Sequence, residues 1–173
     1  MRHSPPPFQL PDPYIQEYPY SLIFRIQLTV PMTNGAVTSV TNRAVYVPMI
    51  FPCDATLYAI RFVATNGTGN YDLGFYKSDL TRIASSGITA MTAAGVKSLT
   101  LSEVRVFGGD LYYSALWLSS TSGQVIRYAN TATVTTLNNL GFAQETNAAG
   151  LPATATPATQ SDLPTPQFFY GVR

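Results

Sequence analysis

The residues that could act as acids, bases or nucleophiles are few in this chain and lie far apart along it. Its nine carboxylates occur singly, and it holds one histidine, His3, and one cysteine. A serine nucleophile needs a base beside it, and His3 lies in a proline-rich leading segment. Glycoside hydrolysis needs two carboxyl groups roughly 5–10 Å apart, which folding could produce from Asp72 with Glu103 or Asp110. Nothing in the spacing selects that pair, and turn capping or solvation accounts for these carboxylates, so the sequence favours a protein that is not an enzyme.

The sequence also predicts no metal site and no cofactor. His3 and Cys53 cannot assemble a site of the usual His/Cys kind, and Cys53 is expected to be a small buried residue. The glycine-rich stretch at residues 65–70, TNGTGN, lacks the Lys-Ser/Thr pair and the following helix of a phosphate-binding loop.

The composition excludes several classes of partner. Charged residues make up 11% of the chain, against about 25% in a typical soluble protein. The formal net charge is +1, which leaves no electrostatic footprint for nucleic acid and no Lys/Arg cluster for an anionic membrane. The best apolar stretch, residues 22–30, is far short of the ~20 residues of a spanning helix, and the N-terminus lacks an apolar run of signal-peptide length. We therefore expect a soluble protein made in the cytoplasm that packs against other proteins.

Prolines divide the chain into an arm and a body. Six of the 13 prolines lie in residues 5–19, and none lies between residues 53 and 151. Because proline cannot donate to a strand ladder, we predict an extended arm at 1–19 and a β-sandwich domain at 20–173. The domain would end in a Pro/Thr-rich segment at 150–166 and a closing strand at 167–172.

The arm carries more apolar and aromatic side chains than a disordered linker usually does. At ~3.1 Å per residue, 19 residues would reach on the order of 60 Å, beyond the ~40 Å diameter of such a domain. We therefore expect the arm to contact a neighbouring molecule. The predicted partner-binding residues of the arm and the C-terminus are Phe8, Leu10, Tyr14, Ile15, Tyr18, Phe168, Phe169 and Tyr170.

The stretch at residues 71–87 predicts a central hairpin. Its first half alternates, so that one face of a strand would hold Tyr71, Leu73 and Phe75 and the other Asp72, Gly74 and Tyr76. Ser78 to Thr81 supplies a turn, because Ser and Asp side chains hydrogen-bond to nearby backbone. Two strands alone are marginally stable in water, so this hairpin requires a larger sheet.

The rest of the chain offers further short strands. Alternation predicts strands at 20–30, 37–40, 43–51 and 56–64, the last with Tyr58, Ile60 and Phe62 on one face. Asn34-Gly35 predicts a hairpin turn, and Pro48 predicts an edge or a bulge in its strand. Residues 96–107 form either two strands or one bent strand. Some eight to ten strands at intervals of about 8–12 residues indicate an antiparallel sandwich or barrel, and the long excursions at both ends favour an all-β, jelly-roll-like sandwich.

Three aromatic residues lie close together in the strand at 111–119. Tyr113 and Trp117 share one face, while Tyr112 lies on the other. A flat aromatic face can stack on sugars, which makes Tyr113 and Trp117 a possible ligand platform. Aromatic rings also dominate protein cores and interfaces, and the sequence favours that interpretation.

The body resembles the β-sandwich modules of tailed-bacteriophage virion proteins. The shared pattern covers about 100 residues and consists of turn and core residues, here Leu73-Gly74-Phe75-Tyr76, Ser78-Asp79, Ala84-Ser85-Ser86-Gly87, Gly109-Asp110-Leu111-Tyr112-Tyr113 and Leu151-Pro152-Ala153-Thr154. The resemblance implies a structural virion protein that decorates or cements the capsid, or joins a tail component, as a homotrimer. The alternative that it implies is a carbohydrate- or host-receptor-binding module of a tail fibre or spike. The arm at 1–19 departs from this pattern.

Overall fold

The computed structural model describes residues 32–36, 41–128, 141–146, 149–159 and 166–172. These residues include no helix, and 61% of them lie in strands. The strands are β1 Met32–Ala36, β2 Arg43–Ile50, β3 Ala55–Ala64, β4 Asn70–Lys77, β5 Arg82–Ser85, β6 Thr89–Ala90, β7 Gly95–Val106, β8 Leu111–Leu118, β9 Gln124–Tyr128, β10 Ala143–Thr146, β11 Ala158–Thr159 and β12 Phe169–Val172.

The strands form two antiparallel sheets. The first has the order β1-β9-β3-β7, and β12 joins β3 on the β9 side. The second has the order β11-β10-β2-β8-β4, with β5 and β6 both paired to β4. Eight of these strands, in the orders β1-β9-β3-β7 and β2-β8-β4-β5, have the arrangement of a jelly roll. Successive strands of this set alternate between the two packed sheets, except that β4 and β5 form a hairpin within one sheet. The predicted all-β antiparallel sandwich is confirmed.

The core lies between the two sheets. The central strand β4 contributes Tyr71, Leu73 and Phe75 to it, as the alternation predicted. The ring of Phe75 stacks on that of Tyr112, with centroids 5.4 Å apart, and the ring of Phe51 meets both edge-on. Burial of such large rings gives the sandwich much of its hydrophobic stabilisation.

The predicted hairpin from β4 to β5 is present. The backbone N–H of Thr81 donates to Asp79 Oδ1 at 2.9 Å, and that of Leu80 donates to the Lys77 carbonyl at 3.0 Å. The φ of Leu80 is 64°, in the left-handed region that a non-glycine residue rarely adopts. Asp79 therefore stabilises the turn that the sequence predicted at Ser78 to Thr81.

The hairpin turn predicted at Asn34-Gly35 is wrong. Both residues lie inside β1, where Asn34 pairs with Ile126 and Gly35 with Val125 of β9. A long-range ladder outweighs the local preference of this dipeptide, because strand propensity depends strongly on tertiary context. The strands predicted at 20–30 and 37–40 lie outside the described residues.

The strand at 56–64 exists as β3, and of its predicted inward-facing residues Ile60 and Phe62 are fully buried in the core while Tyr58 is not. Leu57 is fully buried in the core, while Tyr58 is only partly buried. Against β12, β3 has one extra residue between Leu57 and Ala59, because Leu57 pairs with Val172 and Ala59 with Gly171. Such a bulge changes which residues of the strand share a face. The ring of Tyr58 instead lies over Gly171 of β12, where an added Cβ would come within 2.5 Å of Tyr58 Cε2.

Two further expectations have definite outcomes. Residues 95–106 form one bent strand, β7, in which Glu103 has a φ of 51°. Cys53 was expected to be buried and is exposed, because it lies in the loop between β2 and β3 at one end of the sandwich. There the backbone of Gly108 packs so closely on that of Cys53 that a Cβ on Gly108 would lie 2.7 Å from Cys53 Cα.

Candidate functional site

A set of buried polar contacts lies on the outer face of the second sheet. Residues 149–155, here called the C-terminal strap, cover this face and turn it into a second small core. Its buried residues are Ala44, Tyr46, Tyr76, Ala115, Trp117, Leu151 and Ala155. Both faces of β4 are therefore buried, one in the sandwich core and one beneath the strap.

Gly74 makes room for the strap in the middle of β4. A Cβ at this position would lie 2.5 Å from Leu151 Cδ1, 3.2 Å from Tyr76 Cε2 and 3.3 Å from the Ala84 carbonyl oxygen. The Leu151 side chain, which is 3% exposed, thus occupies the space that a side chain of residue 74 would need.

Asp72 fixes the strap to β4 and β5. Its Oδ1 accepts a hydrogen bond from Ser85 Oγ at 2.7 Å and lies 3.3 Å from Ser86 Oγ. Its Oδ2 accepts the backbone N–H of Leu151 at 3.0 Å. A carboxylate that is 2% exposed needs such partners, because a buried polar group without them is costly.

Further hydrogen bonds hold the strap along its length. Tyr76 Oη donates to the Pro152 carbonyl at 2.7 Å, and the Arg82 guanidinium donates to the Leu151 carbonyl. The backbone N–H of Arg82 donates to the Ala153 carbonyl at 2.8 Å, and that of Ala155 donates to the Leu80 carbonyl at 3.0 Å. The strap is consequently bound through both side chains and backbone.

A second anchor joins β2 to β10 and to the residue that follows the strap. Tyr46 Oη donates to Glu145 Oε2 at 3.0 Å, and the Thr156 backbone N–H lies 3.3 Å from the same oxygen. The rings of Tyr46 and Tyr76 meet edge-on with centroids 5.4 Å apart. Burial raises the pKa of Tyr46 well above its ordinary value, with smaller contributions from Tyr76 and Glu145. Burial likewise raises the pKa of Tyr76, so both phenols stay protonated and act as donors at neutral pH.

The chemistry of this site is that of an anchor. Ser85 and Ser86 face the Asp72 carboxylate directly, and the part of the chain that the structure describes places no histidine beside them. Both carboxylate oxygens of Asp72 accept hydrogen bonds from donors of this chain. Among the described stretches of the chain, no group of three or more His, Cys, Asp or Glu residues could hold a metal ion.

The predicted partner-binding residues fall into two sets. Those of the arm, Phe8 to Tyr18, lie outside the described residues. At the other end, Phe168 and Tyr170 pack against the sandwich core, and Tyr170 Oη donates to Ser114 Oγ at 2.9 Å. Phe169 is partly buried in β12, where it pairs with Arg61 of β3. The closing strand thus completes its own sheet, and Phe168 and Tyr170 contribute to the core of this chain; the partner-binding role of the three residues stays a prediction.

Trp117 does not offer a ligand platform in this structure. As predicted, it shares a face with Tyr113, but that face lies under the strap and leaves Trp117 2% exposed. Tyr113 is partly buried at the margin of the same cluster, and burial raises the pKa of its phenol. A ring without an open face cannot stack on a sugar.

Sequence reasoning missed the role of Asp72, which it treated as a turn-capping or solvated carboxylate. Two signals pointed to the anchor: a carboxylate in the middle of an otherwise buried strand, and two consecutive serines in the return strand of its hairpin. The donor on the strap, the Leu151 N–H, is 79 positions away along the chain, and no local pattern predicts that contact.

One end of the sandwich exposes apolar side chains. Ile50 is 42% exposed and Phe107 46% exposed. The Arg105 guanidinium lies 5.2 Å from the centre of the Phe107 ring and 3.4 Å from Asp54 Oδ2. The Gly108 N–H, and secondarily Arg105, lower the pKa of Asp54.

The fold and the site together define a jelly-roll-type β-sandwich whose outer face is covered by its own anchored C-terminal strap. Comparisons with protein-family models, with curated proteins and with solved structures found no match for this chain. Within the described ranges, no helix is long and apolar enough to cross a membrane.

Proposed function

We propose that this chain is a structural virion protein of a tailed bacteriophage. It decorates or cements the capsid, or joins a tail component, through its N-terminal arm and through contacts between copies. Its work is binding during assembly rather than catalysis.

The observation that carries this proposal is the convergence of the resemblance motifs on one structural unit. Gly74 of the central-strand motif and Leu151 of the strap motif share one space. Ser85 and the Leu151 N–H both donate to Asp72, the residue that precedes the central-strand motif. The motifs that resemble virion modules therefore lie where the strap is anchored to the sheet. Their role is structural, as expected for a component of a particle. The low share of charged residues, 11%, supports the same conclusion because a weakly charged surface is easily covered by neighbours.

The arm supplies the attachment in this proposal. Its apolar side chains would bury surface on a neighbouring virion protein, at about 25 cal/mol per Å² before the cost of ordering the arm. Several copies would strengthen a weak contact through effective concentration. The alternative is a carbohydrate-binding module. Because Trp117 is buried, that module would have to stack a sugar on the partly buried Tyr113.

The test compares two variants of the full chain, Tyr14→Ser with Tyr18→Ser, and Gln9→Ser with Gln16→Ser as the matched control in the same arm. Tagged protein is mixed with purified particles of the phage that encodes it, and bound protein is measured after sedimentation. We expect the tyrosine variant to lose at least about tenfold in affinity, which is about 1.4 kcal/mol, while the glutamine variant binds as the original chain does. Equal binding of all three, or no binding of the original chain, would overturn the proposal.

A further inference from the structure

Strand β7 forms an edge of its sheet within the described part of the chain. Among the described residues it pairs with β3 alone, and Ser98, Thr100 and Ser102 are exposed along it. Such an edge presents backbone N–H and C=O groups that another strand can pair with.

The sequence of this edge is self-complementary. Residues 96–104 read Val-Lys-Ser-Leu-Thr-Leu-Ser-Glu-Val, which is a palindrome about Thr100 with one exception. That exception places Lys97 and Glu103, which carry opposite charges, at equal distances from the centre. An antiparallel pair of identical strands crossing at Thr100 would therefore match like residues with like and each positive charge with a negative one.

We propose that β7 binds β7 of a second copy of this chain, antiparallel, about a two-fold axis at Thr100. The contact is isologous, because the same surface serves on both sides. It is independent of the arm-mediated attachment to a particle, so either proposal can fail without the other.

The side chains of the pair would fall on the correct faces. Leu99 and Leu101 point into the core, with 6% and 5% exposure, and each would lie opposite the other in the second copy. Ser98 would lie opposite Ser102 on the solvent side. A slip of one residue would instead set Leu99 against Ser102 and disrupt both faces. The β1-β9-β3-β7 sheets of the two copies would thus join into one continuous sheet.

The regular part of this ladder has a defined end. Glu103 has a φ of 51°, and the register of β7 against β3 shifts between Thr100 and Val104. Exposed and buried residues still alternate from Ser98 to Ser102, so we expect these residues to form five pairs, flanked at each end by Lys97 of one copy facing Glu103 of the other. Opposite charges across neighbouring strands are favourable, and like charges are unfavourable.

Charge reversal tests this contact in the purified full-length protein. Lys97→Glu faces Glu103 of the other copy with a like charge, and Glu103→Lys faces Lys97 with a like charge. The double variant K97E/E103K restores opposite charges at both ends. Lys77→Glu, at the exposed end of β4, is the matched control because it changes the net charge exactly as K97E does.

Association is measured by sedimentation equilibrium at several protein concentrations, with circular dichroism to establish that each variant is folded. We expect the original chain and K77E to associate alike. Each single reversal should raise the dissociation constant by about tenfold, because two charge pairs change sign, and the double variant should return to within about threefold of the original.

Backbone amide hydrogen exchange gives a second readout that does not depend on any variant. We expect the amides of residues 98–102 that point away from β3 to become better protected as protein concentration rises. Protection that is independent of concentration would assign the edge to another part of the same chain and overturn the proposal.

Two further outcomes of the association measurements would also overturn it. If the original chain stays monomeric at all concentrations, Lys97 and the left-handed Glu103 serve to keep the edge unpaired, as charges and bulges do on other edge strands. If the chain associates but neither single reversal weakens it, or the double variant is as weak as the two singles combined, the contact lies elsewhere.

Discussion

Gly74 and Leu151 share one space: a Cβ on Gly74 would lie 2.5 Å from Leu151 Cδ1. The central strand and the C-terminal strap are therefore matched at the level of a single methyl group. The absence of a side chain at position 74, in the middle of a buried strand, is what allows the strap to lie flat on the sheet.

Substitution of Gly74 by Ala should destabilise the protein by about 1–3 kcal/mol, because the added methyl group overpacks a buried site. The measurement is the free energy of unfolding from chemical denaturation. Because Leu151→Ala removes the atom that clashes, the double variant should be more stable than the sum of the two single effects predicts, by about 0.5–3 kcal/mol. Rescue should be incomplete, since Tyr76 Cε2 lies 3.2 Å from the same Cβ. Strict additivity of the two effects would contradict the shared space.

Asp72→Asn should loosen the strap. An amide keeps one acceptor, so the Leu151 N–H or the serine hydroxyls would face a donor, at a cost of about 1–3 kcal/mol. Hydrogen exchange at residues 149–155 should rise more than exchange in β3. Asp110→Asn is the control, because Asp110 is exposed and should change neither quantity. A global loss of stability with no preferential change in the strap would mean that Asp72 does not act as its anchor.

The two buried tyrosines should make the protein sensitive to alkaline pH. Burial raises the folded-state pKa of Tyr46 and Tyr76, while the same groups in the unfolded chain ionise near about 10. The unfolded state therefore releases protons first. The stability that the neutral phenols contribute is complete below about pH 10 and is lost as the pH rises toward the folded-state pKa.

The variant Tyr46→Phe/Tyr76→Phe checks this dependence. Near pH 7 it should be less stable than the original chain by about 1–3 kcal/mol, because Pro152 and Glu145 each lose a hydrogen-bond donor. Above about pH 10 the difference should shrink, since the variant has no phenol to ionise at these two sites. Denaturation measured across this range, with tyrosinate absorbance as the ionisation probe, gives the result. Parallel loss of stability in both proteins would exclude these tyrosines as the cause.

The sequence alone was enough to predict the class of fold. Apolar and polar residues alternate in a proline-free segment with turn residues at short intervals, and this pattern predicted the antiparallel sandwich. Ser78-Asp79 correctly predicted the turn of the central hairpin. These signals succeed because they are local: the period of two and the hydrogen bonds of a turn depend on residues close together in the chain.

The same local signals failed wherever distant strands decided the outcome. Asn34-Gly35 has the chemistry of a turn, yet the β1–β9 ladder keeps it extended. The alternation predicts Tyr58 as a core residue, yet a bulge in β3 against β12 leaves Leu57 buried in its place. A single sequence carries no record of the partner strand that imposes such shifts.

Alternation in the amino-acid sequence determined that β4 and β8 each have two distinct faces, and that both faces hold aromatic residues. Only the tertiary structure decided what covers each face. The strap reaches Asp72 across 79 positions and buries Trp117, which the sequence left open as either a core residue or a ligand platform. The physical reason is that side-chain periodicity defines a surface, whereas burial of that surface depends on which distant segment lies over it.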